Sequence, residues 1–280
     1  MQKQWGSFCL AIAIRYKIAY NTSGMEKLNK DLLQMIIGLD KQVLVLDSTE
    51  STNNDMKVLL QNGAKDGALI VADTQTAGRG RLEGRVFYSP SGSGIYMTCL
   101  VKPNCPIKEA GLITPAVAVA TAKAIEEVAG IRVGIKWVND LYYKDKKICG
   151  ILCESTCNFD KQIVENVIVG IGVNLSKPSS VPIEISNIMG WLLEKDKGIR
   201  NELIGKIYLN VNKLLKNMKD LSFMDVYRRD SILINKQVNF VYNNDGYIGT
   251  VIDIDDEARL IIKTDKGIIK LNSGEVSLIK

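Results

Sequence analysis

Residues 78–85 read GRGRLEGR, three glycines and three arginines in eight positions, directly after an apolar run. Glycine loses more backbone freedom on ordering than any other residue. Three neighbouring guanidiniums repel one another unless an anion lies between them. Such a segment is poor scaffold and a good clamp for phosphate or carboxylate, because freed backbone N–H groups cradle anions and arginine forks match them bidentately. No Gly-Lys-Ser/Thr ending follows, so this is not a Walker loop. It is also too short, and too enclosed by strands, for an RGG-type nucleic-acid tail.

Three further segments carry chemistry. Ser51, Thr52 and Asn53 open a helix, where their polar groups serve either as caps or as contacts for a polar ligand. In GIKWVND, Lys136 alternates with apolar residues on a strand. An inward lysine there needs an anionic partner or a lowered pKa; the alternative is a lysine snorkelling from a strand end. VIVGIGVNL, residues 167–175, is a buried-type strand running into Asn174, readable also as a tight turn with a glycine bulge.

Composition narrows the mechanism. The 280 residues contain no histidine, which removes Ser-His-Asp and Cys-His nucleophile systems and every histidine metal site. Chemistry by alignment and charge stabilisation fits this inventory. The net charge of +5, from 36 basic and 31 acidic residues, is too mild to argue for nucleic acid. The six cysteines, at 9, 99, 105, 149, 153 and 157, form no zinc-ribbon pair and read as reduced structural residues of a cytoplasmic protein. The apolar run at residues 8–14 falls far short of the ~20 residues that span a bilayer, so no membrane segment is expected.

The elements that must position these groups follow from periodicity. Ser23 and Glu26 have capping-box spacing ahead of a helix that ends at Gly38. A strand follows at 43–46. Thr52 and Asp55 repeat the capping-box spacing before a helix closed by Gly63. Strands are expected at 68–72 and 95–101, then an Ala-rich helix over 108–127 that ends at Gly130 and is kinked or split at Pro115. Three more strands fall at 133–138, 148–153 and 163–169, and an amphipathic helix at 203–218. From about residue 235, five short strands separated by Asn, Asp, Gly and Lys-Gly turns predict a small barrel. The fold class is α+β.

The combination resembles the biotin protein ligases. The resemblance rests on STN at 51–53, QTAGRGR at 75–81 with GR at 84–85, KWVND at 136–140, KICGILCE at 147–154, GIGVN at 170–174 and the terminal SGEVSL, all in family order. It implies a mixed β-sheet with helices packed on one side, of the class II synthetase-like type, followed by an SH3-like β-barrel. The corresponding division is an N-terminal tail of unassigned role at 1–22, a catalytic domain at 23–232 and a C-terminal domain at 233–280. It implies ATP and biotin as substrates with Mg2+, biotinyl-5′-AMP as intermediate, and a lysine of a biotin carboxyl carrier domain as acceptor. Ser51, Thr52, Asn53, Gln75, Arg79, Gly80, Arg81 and Lys136 would contact biotin, with Lys136 and Arg81 catalytic through charge stabilisation. Gly78, Arg85, Phe87, Asn139 and Asn174 would face the nucleotide. No metal ligand is assigned.

The chain departs from the family pattern in three places. Leu82 and Glu83 both separate the two halves of the loop, where the family has one residue. Val138 replaces the proline of KWPND, and Phe87 stands where tryptophan is frequent. A lipoate-type ligase shares the fold, but its loop signature includes a histidine. A repressor would need a second N-terminal helix for a helix-turn-helix, so DNA binding is not expected. A biotin-binding relative without catalysis and a homodimer both remain open.

Overall fold

The computed structural model describes residues 26–82 and 84–279. The N-terminal tail at 1–22 and the cap at Ser23 lie outside the described residues. Eight strands form a mixed sheet: β1 (Val43–Thr49), β2 (Leu69–Gln75), β3 (Gly94–Val101), β4 (Cys105–Pro106), β5 (Gly134–Lys136), β6 (Asp140–Tyr143), β7 (Lys146–Asn158) and β8 (Ile163–Asn174). Their order is β1-β2-β3-β8-β7-β6-β5, with β4 on β8. Only β1 and β2 run parallel; the other pairs are antiparallel.

Five helices pack on this sheet: α1 (Lys30–Ile37), α2 (Thr52–Gln61), α3 (Ile113–Ala129), α4 (Arg200–Leu215) and α5 (Ser222–Arg229). The period-2 alternation of β2 sorts them. Leu69 and Val71 point into the main core with α1, α3 and α4, whereas Ile70 joins Met56 and Leu59 of α2 in a smaller cluster. So α2 covers the face opposite the other helices, and the sheet is not clad on one side alone. That face is only partly covered, and the uncovered part becomes the site.

Local signals were partly redirected by tertiary partners. Glu26 does not cap its own helix. Asn29 does, accepting from Leu32 N–H at 2.9 Å, while the Glu26 carboxylate accepts from the backbone N–H groups of Arg200 and Asn201. A carboxylate at the start of α4 is favoured by the helix dipole. Thr52 and Asp55 likewise form no capping box. Ser51 is the N-cap residue and makes no side-chain cap, and Asp55 accepts from the Thr49 hydroxyl. The Ala-rich helix is split, as a 3-10 turn over Ile107–Leu112 and then α3. Pro115 lies in the first turn of α3, where its missing N–H costs no intrahelical bond. Gly130 closes α3 at φ +69°, donating to Glu126 O.

The second sheet is the small barrel: β9 (Gln237–Tyr242), β10 (Asp245–Ile254), β11 (Leu260–Thr264), β12 (Gly267–Leu271) and β13 (Val276–Leu278), antiparallel in the order β12-β11-β10-β9-β13. Asn243 and Asn244, at φ +51° and +68°, make the two-residue turn of the β9–β10 hairpin, where positive φ suits the strand twist. The barrel is tied to the segment after β5 by Trp137 Nε1, which donates to Ala258 O at 2.8 Å, and to α5 by Arg228 Nε, which donates to Ile254 O at 2.6 Å.

Candidate active site

The longest ladder, β7 with β8, lays out the floor. Its register sets Gly150 opposite Gly172 and Leu152 opposite Gly170, with Thr98 and Tyr96 of β3 on the far side of the same two rows. The glycines are there for space. A Cβ on Gly172 would stand 2.4 Å from the Phe87 ring, and one on Gly170 would stand 2.1 Å from Asn53 Oδ1. Over this floor opens a cleft walled by the start of α2, the Gly/Arg loop and β7.

One wall is neutral and polar. Ser51, Thr52 and Asn53 are buried and have turned away from capping. The Thr52 backbone N–H and hydroxyl both donate to Gln75 Oε1, at 2.9 and 3.1 Å. The Thr98 hydroxyl lies 2.8 Å from Thr52 Oγ1 and 2.7 Å from Asn53 Oδ1. Asn53 Nδ2 donates to Glu154 at 2.9 Å, and Gln75 Nε2 to Ser89 Oγ at 3.2 Å. Each amide is therefore oriented by fixed partners on both ends. Burial pushes the Glu154 carboxyl up, but Lys57 at 2.6 Å, Asn53 and the charge of Arg79 outweigh it and hold the group below its usual range.

The other wall is cationic. Arg79 reaches Asn54 Oδ1 at 2.8 Å. Arg81 donates to Gly274 O at 2.6 Å, in the turn before β13, and leaves its Nε buried with no acceptor among the described residues. A buried guanidinium N–H without a partner is costly unless an anion completes it. Lys147, at the start of β7, lines the cleft and pairs with Asp140 at 2.7 Å.

The cleft brings together Ser51, Thr52, Asn53, Gln75, Arg79, Gly80, Arg81, Phe87 and Asn139. The Phe87 ring lies on Gly150 and Gly172, edge-on to Tyr96 at 6.5 Å. Gly78 stands just behind the wall, since a Cβ there would meet Phe87 O at 2.5 Å. Asn139 is held by a bond from its Nδ2 to Ile151 O at 2.9 Å. Besides Gly78, three expected residues are outside the lining. Arg85 is 63% exposed and pairs with Glu275 at 3.0 Å. Asn174 is buried, its amide donating to Gly190 O at 2.9 Å. Lys136 sits half-buried with Nζ 5.7 Å from the Tyr142 ring; burial lowers its pKa against the raising influence of Asp140. The lysine on the cleft wall is Lys147. It belongs to the KICGILCE motif, but nothing local told it from Lys146; it pairs with Tyr142 of β6, beside the register shift of that ladder, and only the folded chain selects it. Gly150, Gly170 and Gly172 were missed for the same reason.

The sequence matches the biotin/lipoate A/B protein ligase family model over residues 45–174, and the biotin protein ligase C-terminal domain model over residues 233–279. It is 35% identical over 240 residues to the bifunctional ligase/repressor BirA of Bacillus subtilis, covering 84% of this chain and 72% of that protein. The chain belongs to the biotin protein ligase family. The biotin–[acetyl-CoA-carboxylase] ligase of Mycobacterium tuberculosis is 25% identical over 249 residues, covering 84% of this chain and 88% of that one. Among solved structures, the Aquifex aeolicus biotin protein ligase in complex with biotin and ATP superposes with a TM-score of 0.69 at 26% identity, over 85% of this chain and 99% of that one. The family's mixed sheet and separate C-terminal barrel are the two sheets described above. No helix among the described residues is long and apolar enough to cross a membrane.

Proposed function

We propose that the chain is an ATP-dependent ligase that activates biotin as biotinyl-5′-AMP and transfers it to a lysine of a biotin carboxyl carrier domain. The observation that carries this reading is the cleft itself. A glycine floor that carries the Phe87 ring ends at one side in oriented neutral donors and acceptors and at the other in cations. That is the complement of a planar ureido group joined through a ring and an alkyl chain to a carboxylate. The polar pair Asn53 and Gln75, with Ser51 and Thr52, holds the ring system, and the Phe87 ring covers the floor beside it.

In the first step a biotin carboxylate oxygen attacks the α-phosphorus of ATP, and the bond to pyrophosphate breaks. Arg79, Arg81 and Lys147 stabilise charge on the carboxylate and the α-phosphate, which is where preorganised cations contribute most. Lys136, beside Asp140 and Lys147, adds charge from behind the wall on the phosphate side, with Asn139; Arg85, Asn174 and Gly78 support that side of the cleft. In the second step the carrier amine attacks the acyl carbon and AMP leaves with the phosphate oxygen. No histidine is needed, because alignment and charge dominate both steps. The described residues hold no group of three or more His, Cys, Asp or Glu able to cage a metal. Magnesium would arrive on the nucleotide phosphates with one carboxylate at hand, as it binds in nucleotide sites. Asp140, paired with Lys147, would be that carboxylate. ATP as substrate and unbridged thiols fit a cytoplasmic enzyme.

The test is biotin-dependent exchange of labelled pyrophosphate into ATP, with lipoate and octanoate as controls. Exchange with biotin alone supports the reading. Exchange with lipoate moves the chain to the lipoate ligases, and binding without exchange makes it a non-catalytic relative.

A further inference from the structure

The Gly/Arg loop leaves the sheet at Gln75, the last residue of β2, and rejoins it at Gly94, the first of β3. Its returning end is tied down by a pair that takes no part in the chemistry above. The Asp73 carboxylate, on β2, accepts from the Ser91 hydroxyl and from Gly92 N–H. The same carboxylate pairs with Arg200 Nη1 at 2.5 Å. Arg200, the first residue of α4, is only 1% exposed, and its Nε donates to Gly94 O at 2.7 Å. One buried guanidinium thus grips both the strand that feeds the loop and the strand that receives it. Breaking such a pair leaves an uncompensated buried charge, which is strongly unfavourable.

The consequences run inward. Tyr96, two residues after Gly94, donates to Pro90 O at 2.8 Å and meets the Phe87 ring edge-on. Ser89 Oγ receives Gln75 Nε2. The returning segment therefore sets where Phe87 lies on the glycine floor and how the Gln75 amide points. Neither Asp73 nor Arg200 lines the cleft.

We propose that Asp73 and Arg200 are positioning residues for this cleft: by anchoring residues 91–94 they hold Phe87 and Gln75 in register over the floor, and so set how tightly biotin and its adenylate are retained. This rests on the reading of the cleft as the biotin-activating site. Lys147 is on β7, and Arg79 and Arg81 keep ties of their own to Asn54 Oδ1 and Gly274 O, independent of the anchor, so the chemical step itself is spared.

The experiment compares Ser91→Ala, Asp73→Asn, Asp73→Glu, Arg200→Gln and the Asp73→Asn/Arg200→Gln double variant with the unaltered protein. Four quantities are measured: KM for biotin and kcat in pyrophosphate exchange, the rate of biotinyl-AMP release, trypsin cleavage within residues 79–85 without ligand, and the melting midpoint. For Asp73→Asn and Arg200→Gln we expect biotin KM and adenylate release to rise roughly tenfold, the order expected for a lost hydrogen bond to a charged group. Exchange kcat stays within about twofold, because an interaction used equally in ground and transition states is what is lost. Trypsin cuts the loop faster. The double variant is no worse than the worse single one, since both remove one shared interaction. Asp73→Glu recovers part of the loss.

Ser91→Ala keeps the buried ion pair and removes only the tie to the loop, so it folds normally and shows the same changes in smaller measure. Unchanged KM, release and trypsin rates in Ser91→Ala, whatever the buried variants do, overturn the proposal. So does a parallel fall of kcat and melting midpoint with KM unchanged. If the unaltered protein makes no biotinyl-AMP, the reading of the cleft fails, and the trypsin rates still decide the anchor.

Discussion

The β7–β8 ladder and the β9–β10 hairpin are both antiparallel pairs, yet they use their side chains in opposite ways. In the hairpin, Val238, Phe240 and Val251 point into the barrel core while Val241 and Ile248 stand on the open face, 60% and 59% exposed. Alternation of that kind is what a half-buried strand needs, and it serves only to fold the barrel. In the ladder, one face packs against the helical core through Cys149, Ile151, Val169 and Ile171. The other face omits side chains at 150, 170 and 172, and Asn53 and Phe87 occupy the room. Glycine weakens a strand, so the site has been made at the expense of the sheet. The proposed site lies where the ladder leaves atoms out.

The comparison can be broken by filling the gap. Gly172→Leu should abolish biotin-dependent pyrophosphate exchange, because the new side chain would occupy the place of the Phe87 ring; measurable exchange with ordinary biotin affinity would show that the floor is not the binding surface. Lys147→Ala is expected to lower the rate of adenylate formation by about 10²–10³, the usual cost of one charge-stabilising donor. Lys136→Ala should cost less, as its ammonium lies behind the wall. The reverse ranking in single-turnover assays would move the catalytic cation to Lys136.

In the barrel the expected effects are on stability alone. Leu260 is fully buried, and Leu260→Ala should destabilise the protein by about 2–5 kcal/mol, with unchanged exchange kinetics in the folded fraction. Denaturant melts followed by exchange assays check both halves of that statement. Acid acts on the catalytic sheet. Burial pushes the Asp73 carboxyl up, but its bonds from Ser91, Arg200 and Gly92 prevail, and the group is held below its usual range, as is Glu154. A lowered carboxylate contributes stability that is full above the unfolded-state pKa and lost as pH falls through the folded-state value. The melting midpoint should therefore drop below about pH 4, and less steeply in Asp73→Asn. The smallest effect belongs to the open face of the hairpin: Ile248→Ser should change stability by no more than about 0.5 kcal/mol, and a larger loss by calorimetry would mean that this face is covered by something.

Much of this was readable from residue order. The five barrel strands are legible because each buries alternate residues and each ends at Asn, Asp or Gly, properties local to a few residues. The Gly/Arg loop announced an anion site because glycine and arginine have few other reasons to alternate between strands. Ser51, Thr52 and Asn53 were ambiguous, since a cap and a ligand contact ask for the same residue types; in the fold Ser51 makes no side-chain cap and Thr52 bonds to Gln75. Glu26 looked like a cap for the following helix and became a cap for α4, about 175 residues away, because a carboxylate at a helix start is equally satisfied by any helix the fold presents.

What the chain determined by itself was therefore short-range: strand and helix segments, turn positions, the absence of histidine chemistry, and a cationic loop beside a polar helix start. What only the tertiary structure decided was which of these meet. A single ladder register puts Gly150 against Gly172, and only the folded chain sets Lys147, not Lys136, on the cleft lining. One buried arginine joins Asp73 to Gly94 across more than a hundred residues. Pairing of distant segments depends on the whole packing, whereas turns and periodicity depend on neighbours, and a sequence read locally contains only the second kind of information.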